Sequence, residues 1–185
     1  MADTPKKTQD FSPLNWPDPY HNPQMQATRN NPRAEEFEYG HFQNRNGLAL
    51  FFRGWKLKQT PFPSIPTVVL HIHGMISHSE PYMAMADGIV SEDLIVYGLD
   101  LEGHGHSEGK RGDYTDQQIF LDNIDDAISY LTNKYPNSKI ILSGESMGGL
   151  LVTLYLATVH YEKHQYPIEK TILWAPAYAP LLGTV

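Results

Sequence analysis

The sequence predicts an α/β fold: a mostly parallel sheet with an N-terminal antiparallel hairpin. Three observations carry that prediction. Short apolar, β-branched runs ("TVVLHIH", "DLIVYGLD", "KIILS", "KTILWA") alternate with helical patterns, and such alternation builds βαβ units. The runs are continuous rather than alternating, as in strands buried on both faces. Two earlier apolar segments flank Asn46-Gly47, a dipeptide suited to tight hairpin turns.

The 185 residues suffice for one domain, and 41% hydrophobic residues supply a core. Net charge is −7, from 14 basic and 21 acidic side chains. No basic stripe results, so nucleic acid is not an expected partner. The absence of cysteine excludes disulfides, thiolate metal sites and cysteine nucleophiles. The first residues hold no secretory h-region, and no run approaches the roughly 20 apolar residues of a spanning helix. A soluble, cytoplasmic protein is the expectation. Residues 1–34 carry six prolines and little apolar periodicity, which reads as a flexible arm. Residues 35–185 carry the folded part.

In chain order, "EFEYGHF" and "LALFFRGW" predict the hairpin strands. "TVVLHIH" (67–73) predicts a buried strand, and residues 80–91 a modest helix. "DLIVYGLD" (93–100) predicts a second buried strand before the glycine-rich loop "LEGHGHSEGKRG". Phe120, Ile124, Ala127, Ile128 and Leu131 share one helical face. That helix is expected from about Asp116 to Tyr135, capped by Asp116 or Thr115 and stopped by Pro136. "KIILS" (139–143) predicts a third buried strand. Ser146 to about Tyr161 predicts a buried helix, apolar nearly all round, and "KTILWA" (170–175) a fourth buried strand.

"GESMGG" (144–149) places a serine in a G-x-S-x-G pattern between a strand and a helix. That context makes Ser146 a candidate nucleophile. The turn strains its backbone, and Gly144 and Gly148 remove β-carbons that would collide. The side chain then projects at the C-terminal edge of the sheet, where parallel α/β proteins hold ligands. Acyl transfer also needs donors for an oxyanion, each worth about 3–4 kcal/mol. The N–H groups of Met147 and of Met75, which follows His73-Gly74, are the candidates. Met75, Ile76, Met83 and Met147 are candidates for an apolar lining, although such residues more often fill cores.

"HGMISHS", "DLEGHGHSEGKRG" and "GESMGG", in that order, resemble the α/β-hydrolase fold and, more narrowly, the monoacylglycerol lipase and lysophospholipase group. The resemblance covers roughly residues 36–180. It implies a serine carboxylic-ester hydrolase with Ser146 as nucleophile and the Met75 and Met147 amides as oxyanion hole. Gly74, Met75 and Ile76 would contact a lipid ester substrate. His78 and Ser79 match the group's His-Ser pair, and Asp100 with Gly103–Ser107 a segment of mainly structural role. Glu145 departs from the histidine many members carry, which blurs the substrate class. No cofactor or metal is implied, and membrane contact would be peripheral, through a cap.

In this fold the triad runs Ser, then Asp or Glu, then His. Beyond Ser146 lie 39 residues with no aspartate; the acids are Glu162 and Glu169, the histidines His160 and His164. Fourteen residues of helix span about 21 Å, so His160, Glu162 and His164 fall out of reach of Ser146. Glu169 enters its strand at the wrong end. His71 lies within a buried strand and His73 serves the oxyanion loop, while His104 and His106 lie on a loop beside the cleft. Neither histidine pair makes a zinc site, since alternate strand residues face opposite ways and no third ligand pattern appears. The expectation is therefore an incomplete hydrolase domain that lacks the cap and C-terminal strands. It would be inactive alone, with an unprotected edge at the fourth strand. The alternatives are a non-catalytic binding module, or a thioesterase, acyltransferase or peptidase of the same fold. The sequence fixes no oligomeric state.

Overall fold

The computed structural model describes residues 33–163 and 165–178. The expected N-terminal arm lies almost wholly outside those residues.

Among the described residues six strands form one mixed sheet, in the order β1-β2-β4-β3-β5-β6. β1 (Ala34–Gln43) and β2 (Ala49–Leu57) make the hairpin. Its turn is organised by Asn44, whose Oδ1 accepts from the N–H groups of Asn46 and Leu48 at 3.0 and 2.9 Å. β2 joins β4 (Leu94–Leu99) antiparallel. β3 (Thr67–Ile72) runs parallel to β4 on one side and to β5 (Lys139–Glu145) on the other. β6 (Ile168–Trp174) pairs parallel with β5.

The connections are helical. A 3₁₀ turn (Glu80–Tyr82) and helix α1 (Met83–Ile89) link β3 to β4. Helix α2 (Gln117–Lys134) links β4 to β5. Its N-cap is Asp116, whose side chain accepts from the Gln118 N–H at 2.9 Å. Helix α3 (Met147–Tyr155) follows β5 directly.

Period-two alternation divides the strand residues between the two faces. Val68, Leu70, Ile72, Ile95, Tyr97, Leu99, Ile140 and Leu142 meet Phe120, Ile124, Ile128, Leu151 and Val152 of α2 and α3. Trp55, Val69 and Val96 meet Met83, Met85 and Ala86 of α1 on the other face. β3 and β4 are thus covered on both sides, and each fully buried aliphatic side chain contributes about 1.5–3 kcal/mol.

Four expectations need correction. The strand from Thr67 stops at Ile72, because His73 turns away into a loop. The segment 80–91 is a 3₁₀ turn and a short helix ending at Ile89, not one helix. The helix after Ser146 is regular only to Tyr155; Leu156–His160 winds as a π-helix and none of its residues is buried. β6 is not a buried strand. It is one of the two outer strands of the sheet among the described residues, which fits the expected unprotected edge, and Ile172, Leu173 and Trp174 are exposed.

One polar link ties the hairpin to both helices on the α2 face. Arg45, in the hairpin turn, contacts Asp122, Asp125 and Asp126 at 3.0, 2.7 and 2.8 Å. These carboxylates share a helical face, at spacings of three and four. Asp125 is buried and also accepts from the Tyr155 hydroxyl of α3 at 2.9 Å. The hydrogen bond to Asp126, opposed by partial burial, leads the causes that hold the Arg45 guanidinium more firmly protonated than usual. We expect Arg45→Met to lower stability by about 1–2 kcal/mol, because Asp125 loses its cation while staying buried. Urea denaturation would show this, and the difference should shrink at high salt.

Candidate active site

The site begins where β5 becomes α3 with no intervening loop. Ser146 makes the turn at φ 54° and ψ −116°, a left-handed backbone rare for a residue with a side chain. Such conformations cost about 1–3 kcal/mol and persist only where the surroundings impose them. Here the imposed contacts are visible. The Ser146 N–H donates to the Trp174 carbonyl at 2.9 Å, and its carbonyl accepts from Leu150 and Ala177 N–H at 3.1 and 3.0 Å. A β-carbon on Gly144 would overlap the Gly148 carbonyl. One on Gly148 would overlap the Ile72 and His73 carbonyl oxygens. The Ser146 side chain makes no capping bond to α3. Met147 opens α3, so its N–H has no intrahelical acceptor.

The loop after β3 closes on this turn. The position a Gly74 β-carbon would take lies 3.4 Å from the Ser146 Cβ. His73 is fully buried, and its Nε2 accepts from the Leu101 N–H at 3.1 Å. The ring proton therefore sits on Nδ1, which donates to the Gly74 carbonyl at 2.7 Å. That carbonyl and the Met75 N–H belong to one trans peptide and point in opposite directions. The Met75 N–H is thus aimed away from the His73 ring. Ile76, also at positive φ (55°), donates its N–H to the Tyr114 hydroxyl at 3.0 Å. Tyr114 donates in turn to His104 Nε2 at 2.6 Å, since His104 Nδ1 spends its proton on the Glu102 carbonyl at 2.9 Å.

Asp100 anchors the neighbouring loop from beneath. Its fully buried carboxylate accepts from the Ser79 and His106 N–H groups at 2.6 and 2.9 Å. The two loops that rim the site thus share one buried acceptor, which suits a structural role.

The structure brings Ser146, Gly74 and the first turn of α3 together. Met75 and Ile76 are exposed, whereas Met83 and Met147 are buried in the core. Ile76 lines an open groove of about 640 Å³ with His78, His104, His106, Arg111 and Tyr114; Ser146 lies outside that lining.

No described histidine is placed as a base on Ser146. His71 Nδ1 lies 3.0 Å from Ser143 Oγ. The His160 ring stacks at 6.5 Å on Tyr155, at the far end of α3, and Glu169 pairs with Lys139 at 2.9 Å. His164 lies outside the described residues. Among the described residues no cluster of three metal-ligating side chains occurs, and no helix is long and apolar enough to cross a membrane.

One pair escaped the sequence reading. Glu145 accepts from the Tyr82 hydroxyl, which also accepts from the Gly74 N–H at 3.2 Å. The only available signal was alternation, which sets Glu145 on the same face as Ser143.

Comparisons with known proteins bear on the family and fold of the chain. The sequence pattern of the family described as serine aminopeptidase, S33, matches residues 63–183. Human monoglyceride lipase is 31% identical over 136 residues, 73% of this chain and 44% of that protein. A monoacylglycerol lipase of Mycolicibacterium smegmatis is 32% identical over 114 residues, 62% of this chain and 39% of that protein. The chain therefore spans less than half the length of these curated relatives. Among solved structures, the Paleococcus ferrophilus monoacylglycerol lipase superposes with a TM-score of 0.51 at 28% identity, over 74% of this chain and 46% of that one.

The buried histidines make stability pH-dependent. Burial, reinforced by the neighbouring His73, lowers the pKa of His71 to about 3. Burial also lowers His73 to about 4, against the opposing pull of its bond to Gly74. Both rings are neutral in the folded chain at pH 7, while the unfolded chain binds their protons near pH 6.5. The unfolded state thus binds more protons below that pH, and stability falls with it. Their contribution is complete above about pH 6.5. It is lost toward pH 4 for His73 and pH 3 for His71, by roughly 1 kcal/mol per pH unit for each. Urea melts at pH 7.5, 6 and 5 should show a progressive decline, and a flat profile would contradict the neutral-histidine account.

Proposed function

The chain belongs to the serine aminopeptidase S33 family of α/β hydrolases, and on that premise we propose that it carries the nucleophile and oxyanion hole of a serine carboxylic-ester hydrolase. The observation that carries the proposal is Ser146 itself. It is a non-glycine residue held at φ 54° on a strand-to-helix turn, directly against the Gly74 loop. Holding a serine there costs strain, and a half-buried serine that makes no capping bond at a helix N-terminus gives that strain a use.

In the proposed reaction the Ser146 oxygen attacks the ester carbonyl carbon while a base takes its proton. The carbonyl oxygen becomes an oxyanion, held by the N–H groups of Met75 and Met147. Collapse expels the alcohol, which takes the proton, and leaves an acyl-serine that water hydrolyses. The substrate class is monoacylglycerol- or lysophospholipid-type esters, supported by the monoglyceride lipase relatives. Gly74, Met75 and Ile76 would line the acyl site, with Ile76 leading into the adjoining groove. Peripheral contact with a lipid surface and a cytoplasmic location belong to the same proposal. No described residue supplies the base or its carboxylate. The reading therefore assigns both to polypeptide outside the described residues, and expects no turnover from the described residues alone.

A second reading, a non-catalytic lipid-binding module, is favoured by that same lack of a base beside Ser146. The two part on covalent chemistry. We expect the protein from its natural source to acquire an alkyl phosphonate on the Ser146 peptide when treated with a fluorophosphonate. Ser146→Ala should abolish the adduct and cut monoacylglycerol hydrolysis by at least about a thousandfold. Turnover retained in Ser146→Ala would overturn the assignment; ligand binding with no adduct would favour the binding module.

A further inference from the structure

We propose that Tyr82 and Glu145 form a positioning pair that fixes the Gly74 peptide, and through it the oxyanion loop, against the serine turn. The proposal rests on the reading of Ser146 and Met75 given above, and extends it to two residues with no assigned part in the chemistry.

The argument starts from the sheet. Ser143 and Glu145 lie two apart on β5 and so face the same side, and Ser143 pairs in register with His71 of β3. Tyr82 comes to that side from the 3₁₀ turn, its ring 4.0 Å from the His71 ring. Its hydroxyl then sits between the end of β5 and the loop after β3. One oxygen makes both bonds there: it donates to Glu145 Oε2 and accepts from the Gly74 N–H at 3.2 Å.

The direction of the phenol proton matters. A hydroxyl has one proton and two acceptor lone pairs. With its proton drawn to the carboxylate, Tyr82 presents a lone pair to Gly74. Without that acceptor, the proton could turn toward the loop and oppose the Gly74 N–H. Burial, and then the bond to Glu145, raise the Tyr82 pKa, so the phenol keeps its proton at neutral pH.

Both peptides flanking Gly74 are then clamped. The one before it is held through its N–H by Tyr82, the one after it through its carbonyl by His73 at 2.7 Å. Gly74 has the softest backbone in the loop, so these two bonds decide where the Met75 N–H points. Glu145 Oε2 also lies 3.1 Å from the position of a Gly74 β-carbon, so the carboxylate packs directly on the residue it helps to hold.

The test is amide hydrogen exchange by NMR on the natural protein, comparing Gly74 with Val69, a fully buried core reference. Tyr82→Phe and Glu145→Leu should speed Gly74 exchange by at least about tenfold and leave Val69 unchanged. Glu145→Gln should stay within about threefold of wild type, because its amide oxygen still accepts the phenol proton. Unchanged Gly74 exchange in Tyr82→Phe, or acceleration of Val69 in step with Gly74, would overturn the proposal. So would a Gln variant no better than Leu. In the natural protein, Tyr82→Phe should also slow phosphonylation of Ser146 by about tenfold. If wild-type Ser146 never reacts while the exchange pattern appears, the nucleophile reading fails and the clamp stands.

Discussion

The crossing of α3 over the end of β3 is the contact on which the rest of the site depends. At Gly148 the helix backbone lies so close to the Ile72 and His73 carbonyls that no β-carbon fits between them. Interiors packed at crystal density yield little to such a contact. It fixes the start of the helix relative to the loop that leaves β3, and so brings Ser146 beside Gly74. The turn at Ser146 then carries the backbone from β5 into a helix at that height. The strain at the serine is a consequence of where the helix must lie.

Much of this was legible in the sequence, and for physical reasons. Strand-turn-helix around "GESMGG" could be read because glycines spaced about a serine signal main-chain crowding. The cap at Asp116 and the hairpin at Asn46-Gly47 are local, and local chemistry is written locally. The composition of β6 taken alone did not reveal its exposure. An apolar run such as "KTILWA" looks alike in the middle of a sheet or at its margin, and the difference lies in what stands beside it. The π-helical turn at Leu156–His160 was hidden by an apolar composition that also fits a buried helix. Glu145 read as a matter of substrate preference, because its bond to Tyr82 spans 63 residues and exists only once β3 and β5 are in register.

The loops around the site hold their shape through buried polar side chains that bond to main chain. Asp100 takes two backbone amides, and His73 joins a third amide to a carbonyl. Tyr114 and His104 relay the Ile76 amide to the Glu102 carbonyl. Irregular backbone has no ladder to satisfy its donors, so these side chains supply one. The loops thereby gain order without regular secondary structure.

The outermost described strand has a hand on the serine. The Ser146 amide hangs from the Trp174 carbonyl, and its own carbonyl is held by Ala177 just beyond that strand. In mechanical terms, β6 is a lever whose inner end is pinned to the turn. A force that bends or twists the sheet margin is transmitted to Ser146 through two short main-chain links. Whatever stiffens that margin also steadies the hydroxyl.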